Sequence, residues 1–360
     1  MTTRKDNSLN LTTFKDYSRK TIKYGLIALV AYLVLRFLVG SFTAYWKATH
    51  PEPPPAPTVG FGKLPALNFP ASAKVPASYR LETANGRLPD LTDRLKVFFM
   101  PKSGASLFDS DNAKSIASKF NFVFEPEIIN ERTYRFTKTE PLVSTFEIDI
   151  RDRVFNFQTD YLSRPDLILA NKLPSNYDVA SQVKTFAGQA GNFGPDIATA
   201  SAQVSYLVSS GNKLEPAVSV SNAEFVQVDI NRRPIDDIYQ IYTQRGYEGV
   251  VHAIVSGFFS SGQRIVEAHN YYYPIDYGQM HTYPLRDVRT AWKMLQAGEG
   301  LVVNPGKASE AVIRKVSLGY YDDMEGQDYF QPIYVFEGDE DFLAIVAAVD
   351  PQYIQIQLPD

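Results

Sequence analysis

His252 and His269 stand in two strand-like runs, GVVHAIVSGFF from Gly249 and RIVEAHNYYYPI from Arg264, with Ser-Ser-Gly turn chemistry between them. With the turn centred on Ser261 and Gly262, His252 faces Tyr271, His269 is its diagonal neighbour, and Glu267 follows on the same face. Two imidazoles and a carboxylate suit zinc or iron. A slip of one residue would put the two histidines on opposite faces, and half-exposed strand histidines are the plainer reading. The acid groups Asp236-Asp237, Asp322-Asp323 and Glu337-Gly338-Asp339-Glu340-Asp341 offer hard oxygen ligands without the spacing of a calcium loop, and read as solvated turns. Arg232-Arg233 before Pro234 reads as a turn with two exposed cations. The Ser115 to Lys119 stretch, SIASK, has no companion motif for nucleophilic chemistry. The GFGK at Gly60 to Lys63 lacks the gap and the hydroxyl residue of a phosphate loop. Tyr271-Tyr272-Tyr273 and Tyr320-Tyr321 have rings that stack on sugars, but alternating strand aromatics belong to a core and its rim. With no cysteine and four histidines, thiolate chemistry is excluded and imidazole chemistry is scarce. No catalytic, cofactor-binding or metal-binding set is identified, and no cofactor or small-molecule substrate is implied.

What positions these residues begins with a charge split. Residues 1–23 carry Arg4, Lys5, Lys15, Arg19, Lys20 and Lys23 against Asp6 and Asp16, a segment of +4 in a chain whose total is -4. Tyr24 to Trp46 follows, an apolar run with Arg36 as its one charge, long enough at 1.5 Å per residue to span a hydrocarbon layer of roughly 30 Å. Subtracting +4 and the +1 of Arg36 from -4 leaves -9 beyond the run. The positive flank is expected in the cytoplasm and the acidic bulk outside, as a single-pass protein of the plasma membrane. A cleaved signal peptide would need a shorter apolar stretch and a small-x-small site, for which Ser41-Phe42-Thr43 is a poor imitation. Arg36 marks a contact with a membrane partner, or else snorkels to the headgroups. An ectodomain of -9 argues against nucleic acid.

Residues 51–76 hold eight prolines, including PEPPPAP, and read as a polyproline spacer within a linker over 47–77. Beyond it a helix followed by strands recurs. Ala113, Ile116, Ala117 and Phe120 share one helix face after a cap at Asp109 or Ser110. Val179, Val183, Phe186, Ala187 and Ala190 share another after Ser175-Asn176. A further helical or irregular stretch is expected from Asp196 to about Ser209. Val288, Ala291, Trp292 and Leu295 form a third face, with Gly298 placed to stop it. The strand-like runs are YRFTKTE, STFEIDI, RVFNFQTDY, FVQVDI, IDDIYQIYT, the two histidine runs, and after a GEGLVVNPGK loop AVIRKVSLGYYD, YFQPIYVFEG, DFLAIVAAVD and YIQIQL. The fold class is therefore α+β: an N-terminal transmembrane helix, then antiparallel sheet packed on helix in modules over 78–170, 171–283 and 284–360.

In the last module, a helix followed by VIRKVSLGYYDD, QPIYVFEGD and LAIVAAVD resembles the helix and three strands of PepSY-like modules, most clearly over 286–350. The Leu318-Gly319-Tyr320-Tyr321 and Pro332-x-Tyr334 portions are also similar to the C-terminal part of the YycH and YycI extracytoplasmic regulators of a bacterial histidine kinase. That resemblance implies a non-enzymatic protein that binds or restrains an envelope partner, with no catalytic residues to carry over. The absence of cysteine, and of any Asn-x-Ser/Thr site except Asn10-Leu11-Thr12 in the tail, is compatible with a bacterial source. The expected function is membrane-anchored, extracytoplasmic binding or regulation of an envelope partner, with oligomers possible. The alternatives are a structural subunit of a cell-surface assembly and an envelope hydrolase whose carboxylates only the fold brings together.

Overall fold

The uninterrupted apolar side chains of the first segment form helix α1 (Leu11–Thr49) in the computed structural model, which describes residues 11–49, 55–140, 142–164, 173–257, 264–307 and 309–355. The helix outruns the apolar run at 24–46 and begins within the basic tail. There the Ser18 and Thr21 hydroxyls bond back to the carbonyls of Phe14 and Tyr17, so polar residues continue the turn. Its stretch Tyr17–Lys47 is long and apolar enough to cross a membrane, and none of its apolar window is buried by the rest of the protein. The chain divides into two compact units, Met1–Ala56 and Pro57–Asp360.

In the second unit the helical periods fall where the sequence puts them. Helix α2 (Asp109–Lys119) buries Ala113, Ile116 and Ala117. Phe108 takes its cap position, and the Asp109 carboxylate instead accepts the Ser106 N–H at 2.7 Å in the first turn. Helix α3 (Asn176–Gly188) is capped by Ser175, whose Oγ accepts the Asp178 N–H, and buries Val179, Val183 and Ala187. A single turn, α4 (Pro195–Ala198), follows. Helix α5 (Val288–Gln296) is capped by Asp287 and buries Ala291 and Leu295; Gly298 beyond it takes φ +80, the left-handed conformation that ends a helix at least cost in glycine.

Among the described residues the strands form two sheets. They are β1 (Ser78–Leu81), β2 (Arg94–Phe99), β3 (Glu127–Ile128), β4 (Thr133–Lys138), β5 (Ser144–Asp149), β6 (Phe155–Thr159), β7 (Ala202–Ser210), β8 (Lys213–Pro216), β9 (Phe225–Ile230), β10 (Gln240–Tyr242), β11 (Val251–Ser256), β12 (Ile265–Asn270), β13 (Asp276–Pro284), β14 (Leu301–Asn304), β15 (Glu310–Tyr321), β16 (Tyr329–Gly338) and β17 (Leu343–Ala347). The nine-stranded sheet, β3-β4-β5-β6-β12-β11-β9-β7-β8, is antiparallel throughout and joins strands from 78–170 with strands from 171–283 through the β6 and β12 pair. Its alternation sends Phe136, Phe146, Phe155, Phe157, Val228 and Ala253 to a core roofed by α2 and α3. The eight-stranded sheet follows β1-β15-β16-β17-β14, with β10 beside β15 and β2 bridging β13 and β16. Its face toward α5 buries Leu318, Tyr334, Phe336 and Ala344. This is α+β architecture with large sheets.

Several expectations differ from the structure. The stretch expected as helical or irregular to about Ser209 is mostly strand β7, because its partner β9 supplies a ladder that local pattern does not reveal. Strand β14 lies inside GEGLVVNPGK, paired with β17. The IDDIYQIYT run yields only the short β10, since Asp236 and Asp237 take φ +52 and +57 and turn the chain. Of YIQIQL, Tyr353 closes a short turn, Ile354 bridges Leu64, and the end lies outside the described residues.

The proline-rich linker also behaves differently from a spacer once past its first residues. From Thr58 it is a docked strap. Thr58 and Thr282 exchange backbone and hydroxyl bonds at 3.0 Å, Leu64 N–H donates to Tyr353 O, and Gln355 N–H donates to Leu64 O, each at 2.8 Å. Leu64 is fully buried with Val97, Tyr283 and Val349. The GFGK motif serves this docking: a Cβ on Gly60 would come within 2.2 Å of the His281 ring, on whose edge Phe61 packs at 4.6 Å. Truncating a buried leucine costs about 2–4 kcal/mol through lost transfer and the cavity left behind. Leu64→Ala is therefore expected to lower the stability of the full chain in detergent by that amount in urea unfolding, whereas a loss below about 1 kcal/mol would show the strap to be outside the cooperative unit.

Candidate functional site

Arg232 follows β9 in a turn set by Pro234, and its guanidinium points inward with no exposed side-chain surface. Its Nε donates to Asp322 Oδ2 at 2.6 Å, its Nη1 to Asp196 Oδ2 at 2.8 Å, and its Nη2 to the Tyr273 carbonyl. The Tyr272 ring lies 4.4 Å under the guanidinium carbon, a cation–π contact strengthened by exclusion of water. Asp196 also accepts the Tyr272 and Tyr277 hydroxyls, both at 2.9 Å. Burial works to lower Arg232's pKa, but Asp322 and Asp196 outweigh it and raise it. Burial pushes Asp196 up, yet Arg232 and the two phenols leave it below the ordinary carboxylate value. Asp322, wholly enclosed, is raised by burial against the pull of the same guanidinium. Removing one member of such a cluster costs about 3–5 kcal/mol, because the remaining charge stays buried and uncompensated. Arg232 and Asp322 carry no exposed side-chain surface, and the cluster ties together segments far apart in sequence.

This corrects two readings. Arg233 is an exposed turn cation as expected, but Arg232 is not, and Asp322 and Asp323 are buried instead of solvated. Burial lifts the Asp323 carboxyl to about 6. The turn chemistry was visible locally, whereas the partners of Arg232 stand 36 and 90 residues away. Asp236, Asp237 and the acids at 339–341 are exposed, with Asp236 paired to Lys96 and Asp339 to Arg314. Tyr272, Tyr320 and Tyr321 are core residues, and Tyr271 and Tyr273 are half-buried.

The histidines do come together. His252 stands directly opposite His269 and not Tyr271; a bulge between Ile254 and Val255 shifts the ladder by one residue, without which His252 would face Ala268. The expected turn at Ser261 and Gly262 lies outside the described residues. The shift keeps both on the face away from the helices, rings stacked with centroids 5.1 Å apart. They are the middle of a row that crosses eight strands in register: Gln203, Asp229, His252, His269, Asn156, Glu147, Arg135 and Glu127. The turn from Thr243 to Gly249 folds over the pair, held by Thr243 Oγ1 donating to Glu248 O at 2.9 Å. Gly249 approaches β9 so closely that a Cβ there would sit 2.4 Å from the Ile230 carbonyl.

His252 Nδ1 meets Asp229 Oδ1 at 2.8 Å; His269 Nε2 lies 3.2 Å from the Gly249 carbonyl, which only accepts, so that nitrogen carries the proton. Burial alone would lower His252, but the Asp229 hydrogen bond and charge raise it above its usual value. His269 is lowered to about 3 by burial and by the neighbouring His252. The two imidazoles are thus shifted in opposite directions, His252 toward the protonated form and His269 toward the neutral one. Glu248 at 3.7 Å from His269 is accordingly a polar neighbour and not an ion pair. Glu267 shares the face and accepts the Tyr161 hydroxyl at 3.4 Å. The ring nitrogens facing Asp229 and Gly249 are occupied, and among the described residues no three His, Cys, Asp or Glu converge for a metal.

A cleft of about 680 Å³ beside α2 and α3 is floored by Phe120 and Phe186. Its charged rim is spent locally, Lys119 Nζ on the Gln189 carbonyl and Asp178 on Ser175 Oγ. Arg36 lies in α1 with its side chain exposed. No protein-family model matches the chain, and no curated protein sequence does.

A histidine whose folded pKa is depressed stabilises the fold fully above its unfolded value near 6.5, and that contribution is lost as pH falls toward the folded value. From pH 6.5 to 5 the loss at His269 amounts to about 2 kcal/mol. Urea unfolding at pH 7 and pH 5 is expected to show wild type losing that much more stability than His269→Gln, whose amide can still donate to Gly249 O. Equal losses would mean that His269 is not held neutral.

Proposed function

We propose that this protein is a single-pass membrane protein with a cytoplasmic N-terminus, whose extracytoplasmic folded unit binds and regulates an envelope partner without converting a substrate. One observation carries the reading: the apolar window of α1 is 0% buried among the described residues, and such a surface is an aggregation liability in water and solvated in lipid. The charge split of +4 before the apolar run and -9 beyond it supports the orientation. The resemblance to PepSY-like modules and to the YycH and YycI regulators supports the regulatory role. Binding also suits the polar groups, whose charges are largely committed to one another: the row across the nine-stranded sheet is cross-linked by Arg135 to Glu147 at 2.6 Å and by His252 to Asp229.

Arg36 is the proposed intramembrane contact, where a charge at mid-span is costly unless paired. Because the chain has no cysteine, single substitutions report cleanly on sidedness. A membrane-impermeant maleimide applied to spheroplasts is expected to label Val218→Cys and to spare Ser8→Cys, and the reverse pattern would refute the orientation. Membrane proteins that co-purify with wild type are expected to be depleted with Arg36→Leu; identical recovery would remove Arg36 from the partner contact.

A further inference from the structure

The most anomalous surface of the folded unit surrounds α2. Leu107, Phe108, Val123, Phe124, Ile128 and Ile129 are large apolar side chains between 41% and 98% exposed, all within one stretch of sequence. Monomeric soluble surfaces seldom gather apolar residues in this way without a partner. The stretch is one band in space. The N-terminus of α2 lies at the Arg151 end of the sheet, where Asp109 and Arg151 line one cleft, and its C-terminus lies at the other end, where Lys138 Nζ donates to Phe120 O. The chain then turns back alongside the helix, since Glu125 pairs with Lys114 at 2.6 Å, and runs as β3 toward the end it started from. Leu107 and Phe108 therefore share an end with Ile129, and Val123 and Phe124 occupy the other.

The band also borders an open sheet edge. Among the described residues strand β3 ends the sheet, paired with β4 alone. Ile129 N–H is spent on the Thr133 carbonyl at 3.0 Å, so strand alternation turns the peptide groups of Ile128 away from the sheet. Charge decides among occupants. Between residues 107 and 131 stand Asp109, Asp111, Glu125, Glu127 and Glu131 against Lys114 and Lys119, a net of -3. Lys119 is spent on the Gln189 carbonyl; Glu125 pairs with Lys114 and Glu127 with Arg135 of β4, but these carboxylates stay 81% and 65% exposed, and surface pairs of this kind contribute about 0–1 kcal/mol, so an incoming cation can exchange into them. An anionic lipid surface is repelled by this rim, and a second copy of the chain would set acid against acid. We infer that the band is the docking surface for an extended protein segment that alternates apolar and basic side chains, adding to the β3 edge with its apolar residues on Phe124 and Ile128 and its cations facing Glu125, Glu127 and Glu131.

This inference rests on the proposed binding role and gives that partner its chemistry. The test uses the full chain in neutral detergent and two fluorescein-labelled ten-residue probes, one alternating Leu and Lys, the other alternating Leu and Glu. Saturable binding of the Leu–Lys probe is expected, at least tenfold tighter than the Leu–Glu probe. The double variant Phe124→Ser, Ile128→Ser should weaken it at least tenfold, while Val218→Ser, equally exposed elsewhere, should bind as wild type does. Both variants alter solvent-facing positions, and matching urea midpoints establish that they are folded. Equal binding of the two probes, or an unaffected double variant, would overturn the inference. So would a photo-reactive residue at Ile128 that crosslinks, in native membranes, to lipid or to another copy of the chain. Binding by the purified chain does not depend on orientation, so this result and the maleimide labelling fail independently.

Discussion

A single enclosed cation fixes the junction of the two sheets. Arg232 leaves the end of β9 in one sheet, holds Asp322 at the end of β15 in the other, and draws in Asp196 from the turn between α3 and β7. Its surroundings include Tyr277 of β13 and Phe330 of β16, so segments from both layers are set by one side chain. Apolar packing could join the sheets in many registers at similar energy. A fork of fixed donors that must find carboxylate oxygens at hydrogen-bond distance can do so in very few.

With that junction fixed, the two faces of the nine-stranded sheet follow from strand alternation. One face is phenylalanine and small aliphatic residues under α2 and α3, and along the other runs a ladder of amides, carboxylates, imidazoles and a guanidinium beside a second apolar cluster of Leu207, Phe225 and Ile254. Uncovered antiparallel sheets need such a polar side, and here it is continuous across eight strands because the bulge after Ile254 keeps β11 and β12 aligned. At the histidine pair and Asp229 this ladder is sealed from water, with the turn from Thr243 to Gly249 over the pair. There the cross-strand neighbour, and not the solvent, sets protonation.

Legibility in the sequence tracked the range of the contacts. The three long helices of the folded unit are readable because burial at i, i+3, i+4 and i+7, with Ser175 and Gly298 at two of the ends, is a property of a dozen neighbouring residues. Runs such as STFEIDI announced β5 by alternation alone. The strands β1, β2 and β13 leave no such local mark, since β1 is four residues beside the distant β15 and β13 carries Gly278, Gln279 and Met280 through a break in its register. The histidine face is legible but its register is not, because pairing depends on where the chain reverses as well as on a bulge, and composition marks neither. The Arg232 centre was invisible: Arg-Arg-Pro and a pair of aspartates look like solvent-facing turns until the fold brings them into contact. The apolar band around α2 was equally hidden, because exposure at Leu107 or Phe124 belongs to the tertiary structure and not to the residue.

The docked strap has a consequence for biosynthesis. Leu64 is hydrogen-bonded on both sides to residues near 354, and β1 inserts beside β15, some 230 positions further on. A segment translated early must therefore wait, unpaired, for partners that leave the ribosome 230 to 292 residues later. Contacts of such long sequence separation are slow to close, so the interval in which the newborn chain needs shielding by chaperones is set by the time taken to translate nearly all of the folded unit.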